Sequence, residues 1–228
     1  MGINHPENIK YVLRKEDYGA LINDQHQRAV VLLSGGIDST VALFLARNKG
    51  LEVNGLEFFY DGRPKRESNK IEEICDGLGV KLFRVNYPQV IENSRNGLYE
   101  GPINLAESNF LYYSIAGGFA QGVGADCIIA GQILNDWVNS NDLRAMPDHY
   151  NKMNELLIRE YSENGPKIIT PFLYLNKNEV VKIGASLKTP FNLTWSCPNN
   201  DVNPCGVCPQ CSEREEAFRV NSIYQDGR

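Results

Sequence analysis

Residues 29–49 read AVVLLSGGIDSTVALFLARNK, and Gly50 follows. The unbroken β-branched and leucine run at 29–33 suits a strand buried on both faces. Ser39–Asn48 is apolar nearly all round, as in a buried helix, and Lys49-Gly50 suits its C-terminus. Between strand and helix stand two glycines and several small hydroxyl or carboxyl side chains. Gly35 and Gly36 can take φ > 0 and let an anion touch backbone N–H groups. The helix start aims its unpaired amides and the positive end of its dipole at the same spot. Ser34, Ser39 and Thr40 add hydroxyl donors. The unit reads as a phosphate cradle. No lysine follows the glycines, so it is not the G-x-x-x-x-G-K-[ST] loop, and neutralising charge must come from Mg²⁺ or from distant Lys or Arg. That suits a nucleotide split between its α and β phosphates. The plain alternative is a tight turn with Asp38 as an ordinary N-cap.

Further along, strand-like stretches at 52–60, 81–85 and 126–130 alternate with helix-like stretches at 67–76, 105–122, 148–161 and 177–186. This alternation predicts an α/β fold, an open parallel sheet with helices on both faces. Ligands bind such sheets beyond the carboxyl ends of the strands, which groups 34–39, 60–63 and 131–136 along one edge. With 228 residues, 42% of them hydrophobic, the chain suffices for one sizeable core. We expect an N-terminal extension at 1–28, a phosphate-binding α/β domain at 29–190 and a separate C-terminal segment at 191–228. The net charge of −5 argues against a broad nucleic-acid-binding face. No apolar run approaches the roughly 18 residues that span a bilayer. The N-terminus lacks a signal-type apolar region, and Pro6 breaks the myristoylation pattern, so the expected location is cytoplasmic.

Of six cysteines, Cys197, Cys205, Cys208 and Cys211 form C-x7-C-x2-C-x2-C. Four thiolates satisfy tetrahedral Zn²⁺ with no open position, which makes the site structural. Gly206 permits the tight turn, and Pro198, Pro204 and Pro209 stiffen the loop. An iron–sulfur cluster and sulfur-carrying thiols are the alternatives. Cys75 and Cys127 fall in helix and strand patterns and read as core residues.

The SGGxDS loop resembles that of the PP-loop ATP pyrophosphatases, and its combination with the cysteine pattern resembles the QueC family. Tyr60, Arg63 and Glu67, then Thr170-Pro171, Asn176-Lys177 and Glu179, then Thr194 and Arg214, match further family positions. The likeness spans about 29–218. It implies an adenine nucleotide alpha hydrolase-like, Rossmann-like domain with a small C-terminal zinc knuckle held by the four clustered cysteines. It also implies ATP contacts over Leu33, Ser34, Gly35, Gly36, Ile37, Asp38, Ser39, Thr40, Val41, Ala42 and Leu43. Asp38, Lys177 and Arg63 are the candidate catalytic groups. Tyr60, Gln132, Asp136 and Asp148 are the candidate substrate contacts. Asn176 and Glu179 form a predicted capping box, which puts the Lys177 cation in a helix's first turn, against the dipole. A local rule broken this way points to a phosphate contact, the alternative being a surface lysine. Arg63 has a similar alternative as a solvated loop residue.

The implied reaction is ATP-dependent adenylation of 7-carboxy-7-deazaguanine, with Mg²⁺ as cofactor, then amide and nitrile formation with ammonia, in a homodimer. Departures cluster away from the ATP loop. Glu107-Ser108-Asn109 stands where the family shows Gly-Arg-Asn, so its Arg is replaced by Ser108, and Phe59 stands where it shows Asp. Met146 and His149 replace Tyr and Cys, and about six residues are added near 140. Two rivals follow: a QueC-like antiviral-defence ligase joining the activated acid to a protein amine, and a nucleotide-binding sensor or scaffold without turnover. His149 with Asp148 suggests a general base or a plain helix start. Trp137 and Tyr60 suggest stacking on a purine-like ring or packing.

Overall fold

The computed structural model describes residue 22 and residues 25–59, 65–86, 92–93, 97–98, 109–134, 147–198 and 203–223. Five parallel strands form the main sheet, in the order β3-β2-β1-β6-β7: β1 (Arg28–Leu32), β2 (Glu52–Phe59), β3 (Lys81–Asn86), β6 (Cys127–Ile129) and β7 (Lys167–Ile169). A two-residue pair, β4 (Glu92–Asn93) and β5 (Gly97–Leu98), is antiparallel. Helices α1 (Ile37–Asn48), α2 (Lys65–Leu78), α3 (Asn109–Gly122), α4 (Pro147–Tyr161), α5 (Lys177–Ser186) and α6 (Pro209–Val220) complete the described elements, with one 3-10 turn at Phe191–Leu193.

Successive residues of β1 point to opposite faces, as pleating requires. Ala29 and Val31 join a core with α1, α2, α5 and α6, while Val30 joins a second core with α3 and α4. Helices therefore cover both faces. β1 pairs with β2 on one side and β6 on the other, so the chain order reverses beside it. The glycine loop leaves the carboxyl end of β1 at this switch point, where such sheets bind ligands.

Neither β7 nor α6 is expected from the residue pattern. β7 has three residues, too few to show a period, and α4 secures its backbone. Buried Asn154 donates to Ile168 O at 3.0 Å and accepts from Ile168 N at 2.7 Å, so a side chain stands in for a neighbouring strand. Helix α6 packs Ala217 and Phe218 into the same core as α1. Buried Glu57 on β2 accepts from Ser68 and, at 2.8 Å, from Arg84 opposite it on β3. Those bonds compensate a charge that would otherwise be costly to bury. Cys75 and Cys127 are core residues, and burial pushes the Cys75 thiol up to about 11 and Cys127 higher still.

Candidate active site

Gly36, extended at φ −79° and ψ 172°, is the N-cap of α1, and no side chain caps the helix. The amides of its first turn are thus left to a ligand or solvent. Asp38 is therefore not the cap. It lies inside the first turn of a helix that starts two residues earlier than expected, where a carboxylate suits the dipole. Gly35 has φ +78°, and a Cβ there would lie 2.8 Å from the Glu67 carbonyl oxygen. Gly131, just past β6, has a similar constraint: a Cβ would lie 2.8 Å from Asp38 C and Ser39 N. Both glycines let backbone approach backbone around the loop.

The hydroxyls divide their work. Ser34 Oγ and Ser39 Oγ lie 3.1 Å apart, and Ser34 N donates to Ser39 Oγ at 3.2 Å. Thr40, expected to face a phosphate, is buried and donates to Gly36 O at 2.8 Å, back-bonding within its own helix. Val41, Ala42 and Leu43 have no exposed surface and pack in the core, so this expectation of nucleotide contact fails on burial.

Two cavities open from the loop. The larger, about 370 Å³, runs from Leu33 and Ser34 past Phe58, Asn109 and Tyr112 to Gly131 and Gln132. Its wall is partly aromatic: Phe58 and Tyr112 meet edge-on at 4.6 Å. Tyr113 donates its hydroxyl to Gln132 Oε1 at 2.8 Å. The smaller, about 210 Å³, is bounded by Gly36, Ile37, Lys177, Ser196, Glu213 and Arg214. Ser34, Asp38 and Glu67 line both.

Asn176 caps α5: its side chain accepts from Glu179 N at 3.1 Å, while its N–H donates to Glu179 Oε2 at 2.9 Å. The predicted capping box is present, and it fixes the start of Lys177. From there Nζ donates to Asp38 Oδ2 at 2.5 Å, across 139 residues of sequence. The other oxygen, Asp38 Oδ1, is buried with no hydrogen-bond partner. Burial holds the Asp38 carboxyl above its ordinary range. Lys177 pulls it down, and Glu213 adds to the rise.

The four cysteine sulfurs all lie within 4.8 Å of one another. Cys205 Sγ and Cys211 Sγ are 4.0 Å apart, near the roughly 3.8 Å edge of a tetrahedron with 2.3 Å zinc–sulfur bonds. Cys205 N and Cys211 N each donate to a sulfur at 3.4 Å, supporting thiolate ligands. The spacing fits one metal ion; a cubane would interpose several irons and hold the sulfurs farther apart. Gly206 adopts φ +74° in the knuckle, and Cys208 caps α6 with Pro209 at its first position. Trp195 ties this segment to the loop. Its N–H donates to Gly35 O at 2.8 Å, and its ring N–H donates to Cys197 O at 2.6 Å. Nothing in the residue pattern predicts that link. Arg214, from α6, donates to Thr194 Oγ1 and Phe191 O, each at 2.7 Å.

Of the other expected site residues, Asp148 does not join the cavities. It is exposed at the start of α4 and pairs with Lys152 at 2.5 Å, because a helix start favours an acid whether or not a ligand is near. Tyr60, Arg63, Asp136, Met146 and Trp137 lie outside the described residues. Phe58, Tyr112, Trp195 and Glu213 line the cavities without a sequence signal that singles them out. No helix among the described residues is long and apolar enough to cross a membrane.

The family model for queuosine biosynthesis protein QueC matches residues 28–222. A 7-cyano-7-deazaguanine synthase of Picrophilus torridus is 34% identical over 217 residues, covering 87% of this chain and 90% of that one. The enzyme of the same name from Campylobacter fetus is 31% identical, covering 85% and 93%. Among solved structures, the U34-tRNA thiolase NcsA of Methanococcus maripaludis, with its [4Fe-4S] cluster, shares the fold at a TM-score of 0.50. It is 17% identical and covers 89% of this chain and 67% of its own, so it speaks to architecture alone. Loop, sheet, cysteine cluster and matched span agree: the chain belongs to the QueC family.

Proposed function

We propose that the protein adenylates a carboxylic acid, 7-carboxy-7-deazaguanine, with ATP, and converts the activated acid with ammonia to the amide and then the nitrile. One observation carries the reading. The glycine nest opens into two cavities that share Ser34 and Asp38, so an α-phosphate at the junction has adenosine and acid on one side and the outer phosphates on the other. The relatives named 7-cyano-7-deazaguanine synthase support the choice of acid.

A carboxylate oxygen attacks the α-phosphorus. The bridging oxygen leaves with the bond's electron pair as part of pyrophosphate, and an acyl adenylate results. Ammonia then attacks the acyl carbon, AMP departs with the C–O electrons, and a proton is lost. A second ATP adenylates the amide oxygen, releasing pyrophosphate and one of the two nitrogen protons, and loss of AMP with the remaining nitrogen proton gives the nitrile. The chain contributes preorganised donors: nest amides, the Ser34 and Ser39 hydroxyls, and Lys177, which turns from Asp38 toward departing negative charge. Asp38 Oδ1, buried without a partner, and the neighbouring acid Glu67 suit Mg²⁺, which when bound neutralises phosphate charge. Tyr112 and Phe58 offer ring faces or edges to a purine-like base. The four cysteines would hold Zn²⁺ as a structural ion, fixing the segment that carries Trp195 and Arg214.

Purified, metal-loaded protein is incubated with ATP, Mg²⁺, the deazaguanine acid and ammonia, and products are read by mass spectrometry. Acid-dependent pyrophosphate and a nitrile are expected. Orthophosphate alone, or no acid dependence, overturns the adenylation step. A protein-bound acid in place of the nitrile overturns ammonia as acceptor.

A further inference from the structure

A third cavity, about 170 Å³, lies between the start of α2 and the cysteine segment. It adjoins the smaller cavity, sharing Trp195, Ser196 and Arg214 as walls. The two differ sharply in charge. The smaller one sets Asp38, Glu67 and Glu213 against Lys177 and Arg214. The third is lined by Arg66, Lys70 and Arg214, with no carboxylate among its described lining residues.

The cations are built in. Arg66 and Lys70 stand one turn apart on the same side of α2. Arg66 lies in the first turn, where a cation opposes the helix dipole. Its guanidinium sits 4.4 Å from the centre of the Trp195 ring, which holds it over the cleft. Lys70 pairs with Glu73 at 2.8 Å. Arg214 is fixed by Thr194, by Phe191 O and by the Phe218 ring at 4.6 Å. Asn192 and Ser196 add neutral hydrogen-bonding groups.

We propose that this cleft is a second oxyanion site, which receives inorganic pyrophosphate as it leaves the smaller cavity. The proposal rests on the reading that pyrophosphate forms there. Arg214 lines both cavities, so for a diphosphate without its divalent cation the difference lies between three carboxylates offset by Lys177 in the smaller cavity and the Arg66 and Lys70 cations next door. The exit thus follows a charge gradient along the wall made by Ser196 and Arg214. The same cations have a competing task, since Cys197 and Cys211 form one wall and a four-thiolate metal site carries net negative charge.

The test is calorimetric titration of the metal-loaded full chain with inorganic pyrophosphate, with no Mg²⁺ added so that the carboxylate-rich cavity binds little. In the double variant Arg66→Gln/Lys70→Gln the dissociation constant should rise on the order of tenfold, with a smaller difference at high salt. Lys65→Gln, a cation in the same first turn that does not line the cleft, should leave it unchanged. Metal content, measured on the same samples, should not change. Unaltered pyrophosphate affinity in the double variant, an equal loss in Lys65→Gln, or loss only together with the metal overturns the proposal. The titration needs no turnover. A cleft that binds pyrophosphate in a protein that releases none from ATP refutes the adenylation reading and the exit role with it, and leaves the oxyanion site itself standing.

Discussion

Gly131→Ala tests whether the nest depends on backbone contact rather than on charge. No positive φ attaches to Gly131, so alanine fits its conformation and adds only one methyl group. That methyl would meet Asp38 C and Ser39 N at 2.8 Å, whereas ordinary contact begins at 3.4 Å. The shortfall, 3.4 − 2.8 = 0.6 Å, falls on backbone at both ends, with no flexible side-chain tip to absorb it. The end of β6 and the first turn of α1 must part by about that distance. Overpacking of this kind costs about 1–3 kcal/mol of stability. Displacing Asp38 and its neighbouring amides by over half an ångström should lower kcat/KM by roughly 10- to 100-fold, since 1 Å of misplacement can cost about 100-fold. The assay is acid-dependent pyrophosphate release, alongside thermal melting. Gly122→Ala is the control, because nothing lies within 4 Å of the added carbon. A Gly131→Ala protein that melts lower yet keeps wild-type kcat/KM would falsify the claim that this contact sets the nest.

Asp38→Ala should abolish pyrophosphate release while leaving a cooperative melt, because its carboxylate faces the cavities and its removal opens no core; persistent turnover removes Asp38 from the mechanism. Lys177→Met should move the acidic limb of the normalised pH profile to higher pH. Burial already raises the Asp38 carboxyl, Lys177 opposes the rise, and the active form is taken as ionised, so deleting the cation leaves less carboxylate at any given pH; an unmoved limb assigns that titration to another group. Cys208→Ser should lose the metal, with local folding free energy on the order of 10 kcal/mol at stake, and should raise the KM for ATP through Trp195. Metal-free protein with unchanged KM would break that connection.

What residue order makes legible is local. The strand–glycine–helix unit, the capping box at Asn176 and Glu179, and the C-x2-C knuckle each fit within a few turns of chain. The start of α1 is misplaced by sequence reasoning because Gly36 caps without a side chain, so neither Asp38 nor Ser39 takes that role. Helix α6 escapes it because its N-cap is Cys208, a residue that reads as a ligand and not as a helix signal. Strand β7 escapes it because Asn154, from a helix, completes its hydrogen bonding. The pairing of Asp38 with Lys177, and of Gly35 with Trp195, joins residues more than a hundred positions apart; only the folded sheet brings them together.

That last pairing joins the cysteine segment to the glycine nest proposed to hold the nucleotide. In a trans peptide the carbonyl and the following N–H point in opposite directions. Trp195 N–H holds the Gly35 carbonyl on the side of the cysteine segment, so the Gly36 N–H is turned away from it, toward the Ser34 hydroxyl 3.4 Å away. The Glu67 carbonyl backs Gly35, and Gly131 backs the first turn of α1. All three supports are made with main chain. Side-chain changes at 67 or 195 therefore leave them largely intact, whereas displacement of α2, of β6 or of the cysteine loop turns the nest amides themselves. On the proposed function, a metal held by the four cysteines on the far side of Trp195 would act on ATP without touching it, by fixing which way one peptide plane faces.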